Sequence, residues 1–180
     1  MPSRSAAPPL DLLILPEEAA DLKASSAPLF SDRLVCAIDA GHPEVGERLT
    51  EEQFRTLPLV SHSAGFMDPM IERRFREQGI DRSTAIGTQS IVIQPLVLAG
   101  TRMMVVIPER LGRYFAGQAA IRLLDPPRPF DPLRFAMFWE PRTGRDPAQR
   151  WLRERVLQAA TALGGPDKST SSMPEIDKLR

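Results

Sequence analysis

Two short polar runs carry the side chains best suited to chemistry. Ser61-His62-Ser63-Ala64-Gly65 follows the apolar run 57–60 and precedes Asp68-Pro69, while Thr88-Gln89-Ser90 follows Ala85-Ile86. Each reads as a strand-to-helix junction, where unsatisfied backbone amides and the helix dipole attract a negative or polar group without a basic side chain. Ser61, Ser63, Gly65, Thr88, Gln89 and Ser90 are therefore the candidate binding residues. Thr88 and Ser90 fit plain helix capping equally well.

His62 between two serines invites a comparison with nucleophilic catalysis. A usable base needs a placed orienting acid, and sequence neighbours rarely face each other. No acid, base and nucleophile set emerges, so the chain is not read as an enzyme. His42, His62 and the single Cys36 lack the three or four clustered donors of a zinc site, and no metal or cofactor is expected.

The elements that must position these residues alternate. Apolar runs at 10–15 and 34–38, bounded by proline or charge, read as buried strands. Thr50 followed by Gln53 has capping-box spacing, opening a helix over 51–55. Asp68-Pro69 suits a helix start, with Ile71 and Phe75 on one face and Gly79-Ile80 as a Schellman-type stop. A helix from Thr88 or Ser90 to Gly100 must hold Pro95 near its first turn. Strands follow at 103–107, 121–124 and 134–139, with a Pro108-initiated helix between the first two that stops near Gly117. Asp146-Pro147 opens the last helix, with Leu152, Val156, Ala159, Ala160 and Leu163 as its apolar stripe. This order favours a mainly parallel α/β sheet.

Composition narrows the function. Lys+Arg and Asp+Glu balance at 23 each, whereas a nucleic-acid binder normally carries a basic excess. Arg142, Arg145, Arg150, Arg153 and Arg155 read as a solvated helix face. Trp151, Phe135, Phe138 and Trp139 read as core. The start lacks the apolar run of a secretory signal, and the most apolar stretch, 91–100, is interrupted by Gln94 and Pro95 and is too short to span a bilayer. A cytoplasmic, non-membrane protein is expected, and a lone cysteine in an apolar run agrees.

Four segments in order resemble the effector-binding region of LysR-type regulators, particularly the branch of nodulation regulators that respond to plant flavonoids. They are LDLLILPE (10–17), PLFSDRLVCAIDAGHP (28–43) with its Leu-x-x-Asp-x-Leu-Val pattern, QPLVLAGTRMMVVIPERLGRYFA (94–116), and IRLLDPPRPFDPLRFAMFWEPRTGRDPAQRWLRERV (121–156). Gly100-Thr101-Arg102 stands where most of the family would show Gly-x-Gly. The resemblance spans 10–163 and implies an α/β, periplasmic-binding-protein-like (type 2), two-lobed effector domain. Residues 10–34 and 125–163 would be the remainder of a first lobe incomplete at its amino terminus, and 35–124 the second lobe. Residues 1–9 would be an irregular start and 164–180 a disordered tail.

It further implies a small aromatic or anionic effector in an interlobe cleft bordered by both polar junctions. Assembly as a homodimer or tetramer follows, with promoter DNA reached only through a winged helix-turn-helix absent from this chain. Three alternatives stay open: a solute-binding protein of a transporter, a small α/β enzyme, and a non-functional truncated regulator.

Overall fold

A computed structural model of the chain describes residues 11–19, 24–62, 68–82 and 84–165. The expected irregular start and most of the expected tail lie outside them. The described residues form two compact units. One takes those up to Glu17, those of 24–31 and those from Arg134 onward; the other takes Glu18, Asp32 and the chain on to Leu133.

The larger unit holds a five-stranded sheet built from β3 (Leu34–Asp39), β4 (Leu59–His62), β5 (Thr84–Thr88), β6 (Met104–Pro108) and β7 (Ile121–Leu124), in the order β5-β4-β6-β3-β7. β3 is buried from Leu34 to Ile38, which explains its unbroken apolar run. Cys36 at its centre is fully enclosed, and burial pushes its thiol up to about 12. The expected mainly parallel sheet holds for four of these five strands, and β3 is the exception. β4 runs parallel to β5 and β6, but β3 is antiparallel to both β6 and β7. Strand direction depends on which distant segments pair, and no local pattern encodes that.

Helix α1 (Glu51–Thr56) begins with the expected capping box. The Gln53 amide N–H donates to Thr50 Oγ1 at 3.1 Å and the Thr50 N–H donates to Gln53 Oε1 at 3.1 Å. Helix α2 (Asp68–Glu77) ends as expected at Gly79, whose φ of 70° suits a residue without Cβ. The Ile80 N–H reaches the Phe75 carbonyl and the Gly79 N–H that of Arg76, the Schellman pair. Phe54, Phe75 and Phe130 pack together with ring centroids 5.3 to 6.0 Å apart. The Arg82 guanidinium lies over Phe54 and Phe75 and donates to the Phe54 and Leu57 carbonyls at the end of α1.

Helix α3 (Glu109–Ala116) lies close against β7, where a Cβ on Gly112 would come within 2.9 Å of Leu123 Cδ2. On that side Val35, Ala37, Val60, Leu98, Val105, Ile107, Phe115 and Ile121 form one apolar cluster.

The second unit is a three-stranded sheet of β1 (Leu13–Pro16), β8 (Leu133–Trp139) and β2 (Ser25–Asp32), in the order β1-β8-β2. Helix α4 (Pro147–Thr161) packs on it through Val156 and Ala160, against Leu29 and Met137. β1 is not the buried strand expected, because it pairs with β8 alone and leaves Ile14 46% exposed. β2 was not anticipated. Pro28 disqualifies a central strand, yet β2 lies at an edge, where a missing donor is tolerated.

Asp146 caps α4 by accepting from the Ala148 and Gln149 amides. Three expectations on α4 fail. Arg153 is buried rather than solvated: its guanidinium sits 4.8 Å from the Trp139 ring centroid and donates to the Gly144 carbonyl. Trp151, expected in the core, is 60% exposed, and Ala159 and Leu163 of the expected stripe are exposed too. The stack on Trp139 turns the helix so that a long cationic stem covers the strand.

Candidate functional site

β4 and β5 lie side by side and parallel, with Ser61 opposite Gly87 and His62 opposite Thr88. The two polar runs singled out by sequence therefore meet at the carboxyl ends of neighbouring strands, where ligands of α/β sheets bind. Ser61 is 6% exposed. Thr88 Oγ1 donates to the Ser90 carbonyl at 3.1 Å, while Gln89 is exposed and Ser90 half-buried. Ser63 and Gly65 lie outside the described residues.

No α-helix follows Ser90, contrary to expectation. Residues 91–95 form turns and Leu96–Leu98 one 3-10 turn, ending at Gly100 with φ 71°. Pro95 supplies no N–H, so bonds here reach back three or four residues without propagating, as from Leu96 N–H to the Ile93 carbonyl. No side-chain cap bond accompanies this turn. The tight turns bring Ile91 and Gln94 beside Ser61.

These residues border a depression of about 430 Å³, counting space open to solvent. Its polar lining is Ser61, His62 and Gln94; its apolar lining is Leu34, Leu59, Val60, Ile71, Ile91, Val106, Pro108 and Leu133. Thr88, Gln89 and Ser90 are not part of that lining. Among the described residues, the apolar lining is aliphatic and no lysine or arginine contributes to it.

Gln94, only 2% exposed, brings a carboxamide to the depression. His62 Nδ1 is buried there without a hydrogen-bond partner. Leaving such a group unsatisfied costs about 1–3 kcal/mol, so a polar atom entering here gains more than it would on open surface. Sequence reasoning noted Gln94 only as an interruption of an apolar run. A carboxamide inside such a run, next to a proline, was itself the signal.

Leu34 and Pro108 of the lining are the sequence neighbours of an ion-pair cluster that holds β3 to α3. Arg33 donates to Glu109 at 2.5 and 2.8 Å and to Asp125 at 2.6 Å. Arg33 and Arg113 together hold the Glu109 carboxyl down at about 2, Arg33 contributing most, and Arg33 itself is raised above its ordinary value. Asp32 moves the other way: burial raises it, against the opposing pull of the Arg110 amide that it accepts at 3.3 Å.

Among the described residues, no group of His, Cys, Asp and Glu is placed to hold a metal, and no helix is long and apolar enough to cross a membrane.

The profile of the LysR substrate binding domain matches residues 6–161. Nodulation protein D 2 of Rhizobium tropici is 31% identical over 159 residues, which cover 87% of this chain and 50% of that protein. The chain thus spans about half the length of the curated relatives it matches. The regulatory domain of CcmR from Synechocystis PCC6803, solved in complex with 2-PG, superposes with a TM-score of 0.72 at 13% identity, covering 87% of this chain and 76% of that one. The effector binding domain of QuiR, in complex with shikimate, gives a TM-score of 0.68 at 14% identity, covering 84% and 72%. The expected periplasmic-binding-protein-like α/β fold is that of these regulatory domains, in a family of transcription regulators. This chain belongs to the LysR substrate binding domain family.

Proposed function

We propose that the chain is the small-molecule-sensing region of a LysR-type transcription regulator, and that its effector binds at the depression bordered by Ser61, His62 and Gln94. The observation that carries this reading is the buried, unpartnered His62 Nδ1 at the carboxyl end of β4, in a lining shared with Ser61 and Gln94. A ligand that satisfies it binds the ordered form of the depression better than any open form. Differential affinity of that kind shifts a conformational equilibrium.

The remaining parts of the reading rest on family membership. Residues 10–34 with 125–163 form one lobe of the sensor and 35–124 the other. Ser63, Gly65, Thr88, Gln89 and Ser90 complete the binding region around Ser61. The protein works in the cytoplasm as a homodimer or tetramer, and promoter DNA is contacted by the part of the relatives that this chain does not span. The test is a thermal-shift screen of small metabolites against the chain and its Gln94→Met variant. At least one metabolite is expected to raise the wild-type melting temperature and leave the variant unmoved. Hits that stabilise both proteins equally would refute the site.

A further inference from the structure

We propose that Arg73 and Arg74 of α2 form a binding site for a small carboxylate, a site that the folded chain fills with its own Glu18. The proposal is independent of the effector site: Glu18, Arg73 and Arg74 are not part of the lining of the depression.

A guanidinium enclosed in protein needs a countercharge, because its desolvation is otherwise uncompensated. Arg74 is 4% exposed. Its Nη2 donates to Glu18 Oε1 at 2.5 Å, and Arg73 Nη2 donates to Glu18 Oε2 at 2.8 Å, so two guanidiniums share one carboxylate. Through its other terminal nitrogen, Nη1, Arg74 donates to the Asp131 carbonyl. That bond does not involve Glu18, and it keeps the plane of the group oriented. Arg73 is the more exposed of the two and has its Nε 3.5 Å from Glu77.

Glu18 is an incomplete occupant. Nη2 and Nε lie on the same edge of a guanidinium, the edge that receives a carboxylate side-on through two parallel hydrogen bonds. Glu18 takes Nη2 of that edge and turns its second oxygen to Arg73, and Arg74 Nε is buried without a hydrogen-bond partner. The backbone at Glu18 restricts how its carboxylate can turn. A free carboxylate of the same size carries no such restriction and can meet Nε and Nη2 together.

The ligand class follows from the same contacts. The space that Glu18 fills is that of one planar, singly charged group facing N–H donors. A neutral amide would bring donors of its own against them, and a phosphate dianion would have to shed more hydration beside a buried side chain. Binding also changes the chain. Glu18 groups with the larger unit and Glu17 with the smaller, so a carboxylate that displaces Glu18 unties α2 from the residue at which the chain changes unit.

The experiment titrates the full chain and its Glu18→Ala variant with sodium acetate, with sodium chloride at matched ionic strength, with sodium phosphate and with acetamide at neutral pH, following the arginine Nε–H resonances by proton–nitrogen NMR. In Glu18→Ala, acetate is expected to move the Arg74 Nε–H proton downfield, with an affinity at least about tenfold above wild type, where Glu18 competes at high local concentration. In wild type, saturating acetate is expected to move the same resonance in the same direction. Acetamide and chloride are expected to leave it in place. An Arg74 resonance that acetate does not move in folded Glu18→Ala overturns the proposal, and so does acetate affinity equal in both proteins. Phosphate or chloride acting as strongly as acetate overturns the carboxylate class. If Glu18→Ala does not fold in chloride, its melting temperature in acetate against equimolar chloride is the measurement. Recovery of a cooperative melt in acetate alone supports the site, and no difference between the two salts overturns it.

Discussion

Phe54→Ala is expected to bring the larger unit close to its stability limit. Phe54 is fully buried and contacts Phe75 and Phe130, with ring centroids 5.3 and 6.0 Å away, and it carries the Arg82 guanidinium 5.9 Å from its own centroid. Truncating a core Phe to Ala costs about 3–5 kcal/mol from lost transfer energy and the residual cavity. Arg82, already partly desolvated, loses one of its two ring faces, a further cost of about 1 kcal/mol. The sum, about 4–6 kcal/mol, compares with a total of about 5–15 kcal/mol for a typical domain. Phe54→Leu keeps most of the volume and should cost about 1.5 kcal/mol. Urea unfolding followed by far-UV circular dichroism gives both values from the midpoints at constant slope. Trp139 and Trp151 both lie in the other unit, so tryptophan fluorescence should record a smaller change. A loss under about 2 kcal/mol for Phe54→Ala would refute the claim that this aromatic cluster anchors α1 and α2.

Glu109→Gln should remove part of the acid sensitivity of folding. With its folded pKa held down at about 2, Glu109 contributes stability that is full above the unfolded value of about 4.3. That contribution is lost as pH falls through about 2. The variant should melt below wild type at pH 7 and converge with it toward pH 2; a constant gap across that window would contradict the assignment. Thr50→Ala removes the capping hydroxyl of α1 and should cost about 1 kcal/mol, read from the shift in urea midpoint. No loss there would mean that Gln53 alone holds the turn. Arg153→Ala should destabilise by more than an exposed arginine would, about 1–3 kcal/mol, because it strips cover from Trp139. Arg150→Ala on the exposed side is the control, expected to stay within about 0.5 kcal/mol.

What was legible in the sequence was what local chemistry dictates. Thr50 with Gln53, Gly79 with Ile80, and Asp146 with Pro147 each satisfy backbone groups within one turn, so spacing alone locates them. What was not legible depends on distant partners. β2 contains Pro28 and three serines and becomes a strand because β8 offers it an edge. The antiparallel placement of β3 is set by β6 and β7. The run at 91–100 has the apolar content of a helix, but Pro95 withholds a donor and the chain settles into turns.

The site divides the same way. The two polar junctions were visible as residue types, and the pairing of His62 with Thr88 brings their strands together. The depression draws instead on Gln94 and on aliphatic residues of the larger unit from β3, β4, β6, α2 and the 91–95 turns. Such convergence has no spacing to read.

The most direct test of the account is a crystal structure of the chain with a metabolite that raises its melting temperature. Ligand density is expected against Ser61, His62 and Gln94, with a polar ligand atom within hydrogen-bonding distance of His62 Nδ1. Density at any other place would contradict the proposed site.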